Sequence, residues 1–309
     1  MTADPITADA SGTFKLGDLP VHRIGFGAMR LTGSAAFHLG TPSDRARSIS
    51  VLRRAVELGV NHIDTAAFYF SATRSANELI NTALAPYPED LVITTKVGPF
   101  RDYHGEWGEA ARPDQLRGHV EENLRQLGRD HLDVVNFRRQ EQDSIAEHFG
   151  ALAELREAGL IRHLGISGVG PRHLAEALEI APVVCVQNRY ALDRPDPLDL
   201  DRPDPLDDEM LRLCGEHGIA FVPFFAVAGQ AGPQAATDTH DDTVRDIARA
   251  HGVSPAQLRV AWTLYQGPHV LAIPGTGNPD HLTQNVAAGA LRLTADELTR
   301  LNALHFRTD

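Results

Sequence analysis

The sequence has little cysteine, an excess of acidic over basic residues, and no long apolar run. Cys185 and Cys214 are its only cysteines, and their contexts, VVCVQN and LRLCGEH, are typical of a buried strand and an amphipathic helix. We therefore expect buried thiols, not a disulfide or a metal site. The formal net charge of -12 argues against nucleic acid as the main partner. Without a membrane-length apolar run or a signal-peptide pattern, we expect a cytoplasmic protein with no membrane partner.

A second absence concerns the fold. No GxGxxG follows an early strand, which weakens a doubly wound open sheet as the alternative architecture. Short apolar runs instead alternate with amphipathic helical patterns. This alternation predicts one (β/α)8 TIM barrel of the α/β class over residues 13–309, after a disordered tail at 1–12 and with a small hairpin at 13–19. The predicted strands are 21–26, 60–64, 91–96, 132–137, 161–166, 183–186, 219–222 and 270–273.

Two irregular segments fall between these units. DRPDPLDL at 193–200 is followed at once by DRPDPLDD, a duplication that we interpret as a neutral expansion of a rim loop. Residues 225–241, rich in alanine, glycine and threonine, are either a mobile lid or a plain long loop.

Three successive predicted strands end in charged residues. Asp64, Lys96 and Arg138 occupy these ends, and Tyr69 follows the first of them by one short loop. A (β/α)8 barrel builds its active site at the carboxyl ends of its strands. Each residue alone has an ordinary explanation as a turn or surface residue, but three matched strand ends favour a catalytic site.

Several short motifs in order carry a family resemblance. They are GFGAM at 25–29, HIDTAAFY at 62–69, ITTKVG at 93–98, LGIS at 164–167, VQN at 186–188 and IPGT at 273–276. In order and spacing the chain resembles the aldo-keto reductases, and LDVVNFR, VVCVQNRY and FVPFF are most similar to bacterial pyridoxal reductases and their relatives. The resemblance implies an oxidoreductase that reduces an aldehyde or ketone with NADP(H), on a barrel without a separate nucleotide-binding domain.

The resemblance implies roles for the strand-end residues. Tyr69 would be the proton donor, Lys96 its cationic neighbour and Asp64 the partner of the lysine. A nearby ammonium is expected to lower the pKa of the phenol. Arg138 stands where most family members carry histidine; it cannot release its proton, but it can hold a carbonyl oxygen or a phenolate on the substrate. The alternative is an arginine that pairs with Glu141 on the rim.

The cofactor contacts implied by the resemblance depart from the family pattern in several places. Gly168 replaces an asparagine and Phe224 a tyrosine, and fewer basic residues follow the last strand, so NADP(H) is favoured over NAD(H) on weaker grounds. The expected cofactor residues are Gly27, Ala28, Met29, Asp64, Ser167, Gln187, Phe224, Gly275, Thr276, His281, Gln284 and Asn285.

Aromatic residues in predicted rim loops suggest a flat or apolar substrate. Phe68, Phe70, Trp107 and Phe225 are the candidates, and we expect loop 99–112 to set specificity.

Two other functions remain open. One is an epimerase or dehydratase that oxidises its substrate only transiently, and the other is a non-catalytic NADP(H)-binding subunit, for which a retained proton donor would be unnecessary. A metal-dependent hydrolase is least favoured because the histidines do not collect at strand ends.

Overall fold

The structure, a computed structural model, describes residues 6–34, 39–192, 206–224, 226 and 242–305. The duplicated stretch up to residue 205 and nearly all of the segment 225–241 lie outside these residues, as does Phe225.

A parallel sheet forms the centre of the molecule. Its strands follow one another in chain order from one edge to the other, each paired in parallel with the next. They are β3 (Phe26–Gly27), β4 (His62–Asp64), β7 (Val92–Val97), β8 (Leu132–Arg138), β9 (Ile161–Ser167), β10 (Val183–Gln187) and β11 (Ala220–Phe221).

The segment around Val270 joins the two edges of this sheet. Phe221 bridges Val270 in parallel, and Ile24 bridges Ala272 in parallel. Leu271 N donates to Phe221 O at 2.9 Å, and Ala272 N donates to Arg23 O at 2.8 Å. The sheet is therefore closed, and the predicted (β/α)8 barrel is confirmed.

An antiparallel hairpin covers the amino-terminal end of the barrel. It consists of β1 (Thr13–Leu16) and β2 (Leu19–His22), paired from Thr13 opposite His22 to Leu16 opposite Leu19. The predicted first barrel strand at 21–26 is thus wrong in its first part, because residues 21 and 22 belong to this hairpin. The hairpin's buried residues join an apolar cluster with inward-facing strand residues: Leu16, Val21, Val92, Val134, Cys185, Ala220, Val222 and Leu271.

The chain before the hairpin is ordered from its first described residues. A 3-10 helix, Ala8–Ser11, has Ala8 N donating to Leu58 O at 2.8 Å and Ser11 Oγ accepting from Ile24 N at 3.0 Å. Ala8 is fully buried. The predicted disordered tail is wrong for this segment, because its small residues are packed against the barrel.

Helices surround the sheet, and several of them begin at a side chain that caps the first turn. The Asp44 side chain accepts from Arg47 N at 2.7 Å at the start of the first helix. The Ser254 side chain accepts from Gln257 N at 3.2 Å at the start of the eighth helix. Gly128 ends the third in a left-handed conformation (φ 64°). They are α1 (Arg45–Glu57), α2 (Ala76–Leu84), α3 (Leu116–Leu127), α4 (Ala146–Glu157), α5 (Pro171–Ile180), α6 (Leu206–His217), α7 (Asp242–His251), α8 (Pro255–Tyr265), α9 (Pro279–Ala287) and α10 (Ala295–His305).

Shorter elements lie at the strand ends. β5 (Phe70–Ser71) and β6 (Arg74–Ser75) form a small antiparallel pair after β4, and a 3-10 helix, Ala28–Leu31, follows β3. Within the described residues, no helix combines the length and apolar character needed to cross a bilayer.

Candidate active site

The carboxyl end of the barrel holds a buried ion pair. Lys96, near the end of β7, donates from Nζ to both carboxylate oxygens of Asp64, at 2.6 and 2.7 Å, and to the carbonyl oxygen of Thr65 at 3.0 Å. Gln187, at the end of β10, donates from Nε2 to Asp64 Oδ2 at 2.8 Å. Asp64 is 3% exposed and Lys96 5%. A pair buried this deeply stays charged only because each partner is matched by the other.

Tyr69 lies against this pair. The Lys96 ammonium is 4.9 Å from the centre of the Tyr69 ring, and Tyr69 is 8% exposed. The distance is short enough for the ammonium to stabilise a phenolate when one forms. Sequence reasoning placed Asp64, Lys96 and Tyr69 at one rim, and the structure brings them together.

The predicted lowering of the Tyr69 pKa is wrong. Burial is the largest influence and raises the pKa of Tyr69 above its ordinary value, and the charge of Lys96 only opposes this effect. Burial also disfavours the charged form of Lys96, but Asp64 and Tyr69 outweigh it, so the pKa of Lys96 is raised. The cluster therefore holds a neutral phenol beside a firmly protonated lysine.

Arg138 reaches the same end of the barrel from β8. Its guanidinium carbon is 5.2 Å from the centre of the Phe224 ring. A Cβ atom built on Gly168 (φ 69°) would lie 2.1 Å from Arg138 Nη1. The arginine therefore lies where a side chain at position 168 would begin, so the two residues that depart from the family pattern, Arg138 and Gly168, are in contact.

Two of the predicted substrate aromatics pack at the loop that carries Tyr69. Phe68 contacts Tyr69 edge-on at a centroid distance of 5.2 Å and Trp107 at 5.7 Å. Trp107 is 44% exposed, whereas Phe68 is 7% exposed. Trp107 is therefore the more accessible of the two.

One buried side-chain amide at the carboxyl end of the barrel fits a nicotinamide cofactor. Gln187 is 1% exposed, and its amide nitrogen donates to Asp64. Its buried amide oxygen, Oε1, accepts no hydrogen bond from the described residues. A primary amide on a bound ligand could supply that donor. Ser167, 1% exposed at the end of β9, lies on the neighbouring strand. Gln187 and Ser167 pair with each other at the carboxyl ends of adjacent strands.

The other predicted cofactor residues lie on loops and helices at the ends of strands. Gly27 and Gly275 are packed backbone to backbone: a Cβ on Gly275 would lie 2.4 Å from Gly27 O. Ala28 and Met29 are in the 3-10 helix that follows. Thr276 Oγ1 accepts from Asn278 N at 3.0 Å and so shapes the start of α9.

Along α9 the three remaining candidates differ in exposure. His281 and Gln284 are exposed, and Asn285 is 8% exposed. Gln284 Oε1 accepts from Ser254 Oγ at 3.3 Å, which gives it a local structural contact. None of these contacts joins α9 to the Asp64–Lys96 pair.

Sequence reasoning missed a buried amide network behind the site. Thr65 donates to Asn77 Oδ1 at 2.7 Å, Asn77 donates to Asn123 Oδ1 at 2.9 Å, and Thr95 donates to Asn123 Oδ1 at 2.6 Å. All four side chains are fully buried. Thr65 follows Asp64 directly and Thr95 precedes Lys96 directly, so the network fixes the outer side of both strands. The threonine beside each charged residue is the signal that could have found it.

A comparison with known proteins identifies the family. The family model described as "Aldo/keto reductase family" matches residues 23–305. This chain belongs to the aldo/keto reductase family. The predicted resemblance and the prediction of an oxidoreductase are confirmed.

Individual relatives agree with this assignment. Pyridoxine 4-dehydrogenase of Escherichia coli (strain K12) is 41% identical over 303 residues, which are 96% of this chain and 99% of the relative. A thermostable aldo-keto reductase solved with the inhibitor epalrestat has a TM-score of 0.75 at 29% identity, covering 94% of this chain and 99% of that one. An aldo-keto reductase from Klebsiella pneumoniae solved with NADPH has a TM-score of 0.72 at 27% identity, covering 93% and 92%.

Proposed function

We propose that this chain interconverts a carbonyl compound and its alcohol with NADP(H), with Tyr69 as the proton donor in the direction of reduction. The observation that carries the proposal is the packing of a neutral, buried Tyr69 against the Lys96–Asp64 ion pair at the mouth of the barrel. Two of the chain's relatives of known structure were crystallised with NADPH or NADP, which supports the choice of cofactor.

The chain's own residues would hold the cofactor and the proton. Gln187 and Ser167 would bind a carboxamide, and Phe224 offers a ring face to a flat group. When bound, the cofactor supplies a hydride to the carbonyl carbon. Tyr69 Oη gives its proton to the carbonyl oxygen, and Lys96 stabilises the phenolate that remains.

The charge pattern explains why Tyr69 can act as an acid even though burial raises its pKa. Its neutral form is populated at every working pH, so the proton is always available. The cost of forming a buried phenolate is offset by the ammonium beside it, because Asp64 keeps Lys96 charged. Asp64 is therefore a positioning residue in this proposal, and Tyr69 and Lys96 act at the reacting atoms.

We propose a 3-hydroxypyridine aldehyde of the pyridoxal type as the substrate class. Arg138 is a permanent cation next to Phe224, which suits a flat aromatic ring that carries a phenolate. The E. coli relative named above is a pyridoxine 4-dehydrogenase, which supports this class.

The test is a carbonyl panel that includes pyridoxal, neutral benzaldehydes and simple ketones, each with NADPH and NADH. We expect turnover with NADPH and the highest kcat/KM for pyridoxal. Tight NADPH binding with no turnover on any member would contradict the proposal and favour a binding subunit. Interconversion of substrate isomers without net cofactor consumption would favour the epimerase or dehydratase.

A further inference from the structure

A short hairpin projects from the loop between β7 and α3, beside the proton donor. Arg101 and Trp107 form an antiparallel bridge at its base, and Asp102 N donates to Glu106 O at 2.9 Å. The Asp102 carboxylate accepts from the backbone amides of His104 at 2.9 Å and Glu106 at 3.0 Å. The hairpin 101–107 is therefore fixed by its own hydrogen bonds.

The side chain of Arg101 turns from the base of this hairpin toward the donor's loop. Its Nη1 donates to the carbonyl oxygen of Phe68 at 3.2 Å and to that of Phe70 at 3.0 Å. These carbonyls belong to the two residues that flank Tyr69. Its Nε donates to Gly105 O at 2.9 Å, within the hairpin. A single guanidinium thus joins the backbone on both sides of Tyr69 to the hairpin.

Aromatic packing reinforces this connection. The guanidinium carbon of Arg101 is 4.5 Å from the Phe70 ring centre and 5.7 Å from the Trp107 ring centre. Trp107 in turn contacts Phe68. The hairpin, the arginine and residues 68–70 are therefore packed as one unit.

Arg101 is unusual as a buried charge. It is 7% exposed, and within the described residues no carboxylate forms an ion pair with it. Burial lowers the pKa of Arg101, and the nearby carboxylates of Glu106 and Asp102 only oppose this effect. The hydrogen bonds to the three carbonyls offset part of the cost of burying the guanidinium, while its buried Nη2 has no hydrogen-bond partner among the described residues. An arginine placed for solubility or for a surface ion pair would not be held in this way.

We propose that Arg101 is a positioning residue for Tyr69 and that it couples the hairpin 101–107 to proton transfer. The inference rests on the proposed role of Tyr69 as donor. Substrate contact with the exposed face of Trp107 is transmitted through Arg101 to the backbone of Tyr69. Because a misplacement of about 1 Å can cost about 10²-fold in rate, this coupling makes the hairpin set the efficiency of turnover as well as the affinity for substrate.

The test compares Arg101→Met, Arg101→Lys and Arg117→Met. Methionine keeps the apolar stem but removes every donor, and lysine keeps the charge. Arg117 is an exposed arginine on α3, outside the loop 99–112, and is paired with Glu121 at 3.7 Å. We expect Arg101→Met to lower kcat about 10- to 100-fold with an unchanged Kd for NADPH and a raised solvent deuterium isotope effect. The kcat of Arg101→Lys should fall between those of the parent and Arg101→Met, and Arg117→Met should match the parent.

A second measurement does not depend on turnover. Hydrogen exchange of the peptide covering residues 66–71, where Tyr69 N donates to Ala66 O at 3.0 Å, should accelerate in Arg101→Met and not in Arg117→Met. Unchanged exchange there, or a kcat within about twofold of the parent, would overturn the inference. If Tyr69→Phe retained full activity, the assignment of Tyr69 as donor would fail. The hydrogen-exchange result would still decide whether Arg101 holds residues 66–71 in place.

Discussion

The two ends of the barrel are built by the same strands and differ in what they bury. At the amino end, β7 contributes Val92 to an apolar cluster that the β1–β2 hairpin covers. Four residues later the same face of β7 contributes Lys96 to a buried ion pair. Alternation along a strand repeats every two residues, so one inward face carries both. The apolar cluster at the amino end stabilises the fold. This stability offsets the cost of burying the charged pair at the carboxyl end.

A neutral polar layer separates the two ends. His62 Nε2 and Thr94 Oγ1 are 3.1 Å apart, and Cys185 Sγ donates to Asn136 Oδ1 at 3.0 Å. His62, Thr94 and Asn136 face the barrel interior between the apolar cluster, to which Cys185 belongs, and the ion pair. Polarity therefore rises along the barrel axis instead of changing in one step.

Breaking the ion pair should have the largest effect. Lys96→Met leaves Asp64 buried without its cation, which is expected to cost about 3–5 kcal/mol in the free energy of unfolding, and removes the charge that stabilises the phenolate. We expect turnover to fall by about 10² or more, measured with denaturant unfolding and steady-state kinetics. The matched control is Lys96→Met with Asp64→Asn, which should recover much of the stability and none of the activity. Equal stability of the single and double variants would contradict this account of the pair.

The corresponding change at the other end should affect stability alone. Leu16 is fully buried in the apolar cluster, so Leu16→Ala should lower the free energy of unfolding by about 2–5 kcal/mol. Because Leu16 lies at the covered end, kcat and KM of the folded fraction should not change. A KM that shifts with the melting temperature would show that the two ends are not separate in function.

The middle layer should appear in the pH dependence of stability. Burial, the largest cause, lowers the pKa of His62 from its ordinary value of 6.5 to about 4. The unfolded chain therefore binds this proton more readily, and stability falls as pH drops from about 6.5 to about 4, by roughly 3 kcal/mol from this group. His62→Gln should flatten the unfolding free energy over that window relative to the parent. Parallel curves for the two proteins would contradict a neutral, buried His62.

The smallest effect is expected from Arg138, which in the proposed function contacts only part of the substrate. Arg138→Leu should weaken binding of phenolic or anionic aldehydes by about 1.5–3 kcal/mol, seen as a higher KM, and should leave neutral aldehydes nearly unchanged. Arg139→Leu is the matched control. The neighbouring Arg139 donates from Nε to the backbone oxygen of Gln142 at 2.6 Å, a contact within its own loop. Equal losses on both substrate classes would refute an anchoring role.

The sequence predicts the barrel well because buried parallel strands are continuous apolar runs. The runs that contain Ile63, Ile93 and Val135 all became strands of the sheet. Val21 was misassigned because a hairpin that covers a barrel buries the same residue types as a strand inside it. Short strands such as β3 leave too little pattern to mark their bounds.

For the site, residue identity was predictable and environment was not. Asp64, Lys96 and Tyr69 follow from motifs, but the direction of the Tyr69 pKa depends on how far the phenol is buried, which only the folded chain determines. Arg101 was missed because its partners are backbone carbonyls some thirty residues away, and carbonyls carry no sequence signal. The fit of Arg138 against Gly168 is likewise a property of packing.

The central claim is that Tyr69 provides the proton, and a single-turnover experiment with Tyr69→Phe tests it most directly. NADPH is bound first, an aldehyde that the parent reduces is added, and the oxidation of bound cofactor is followed by its fluorescence. We predict a rate about 10²- to 10⁴-fold below that of the parent with an unchanged Kd for NADPH. A rate within about tenfold of the parent, at equal cofactor binding, would contradict the assignment of Tyr69.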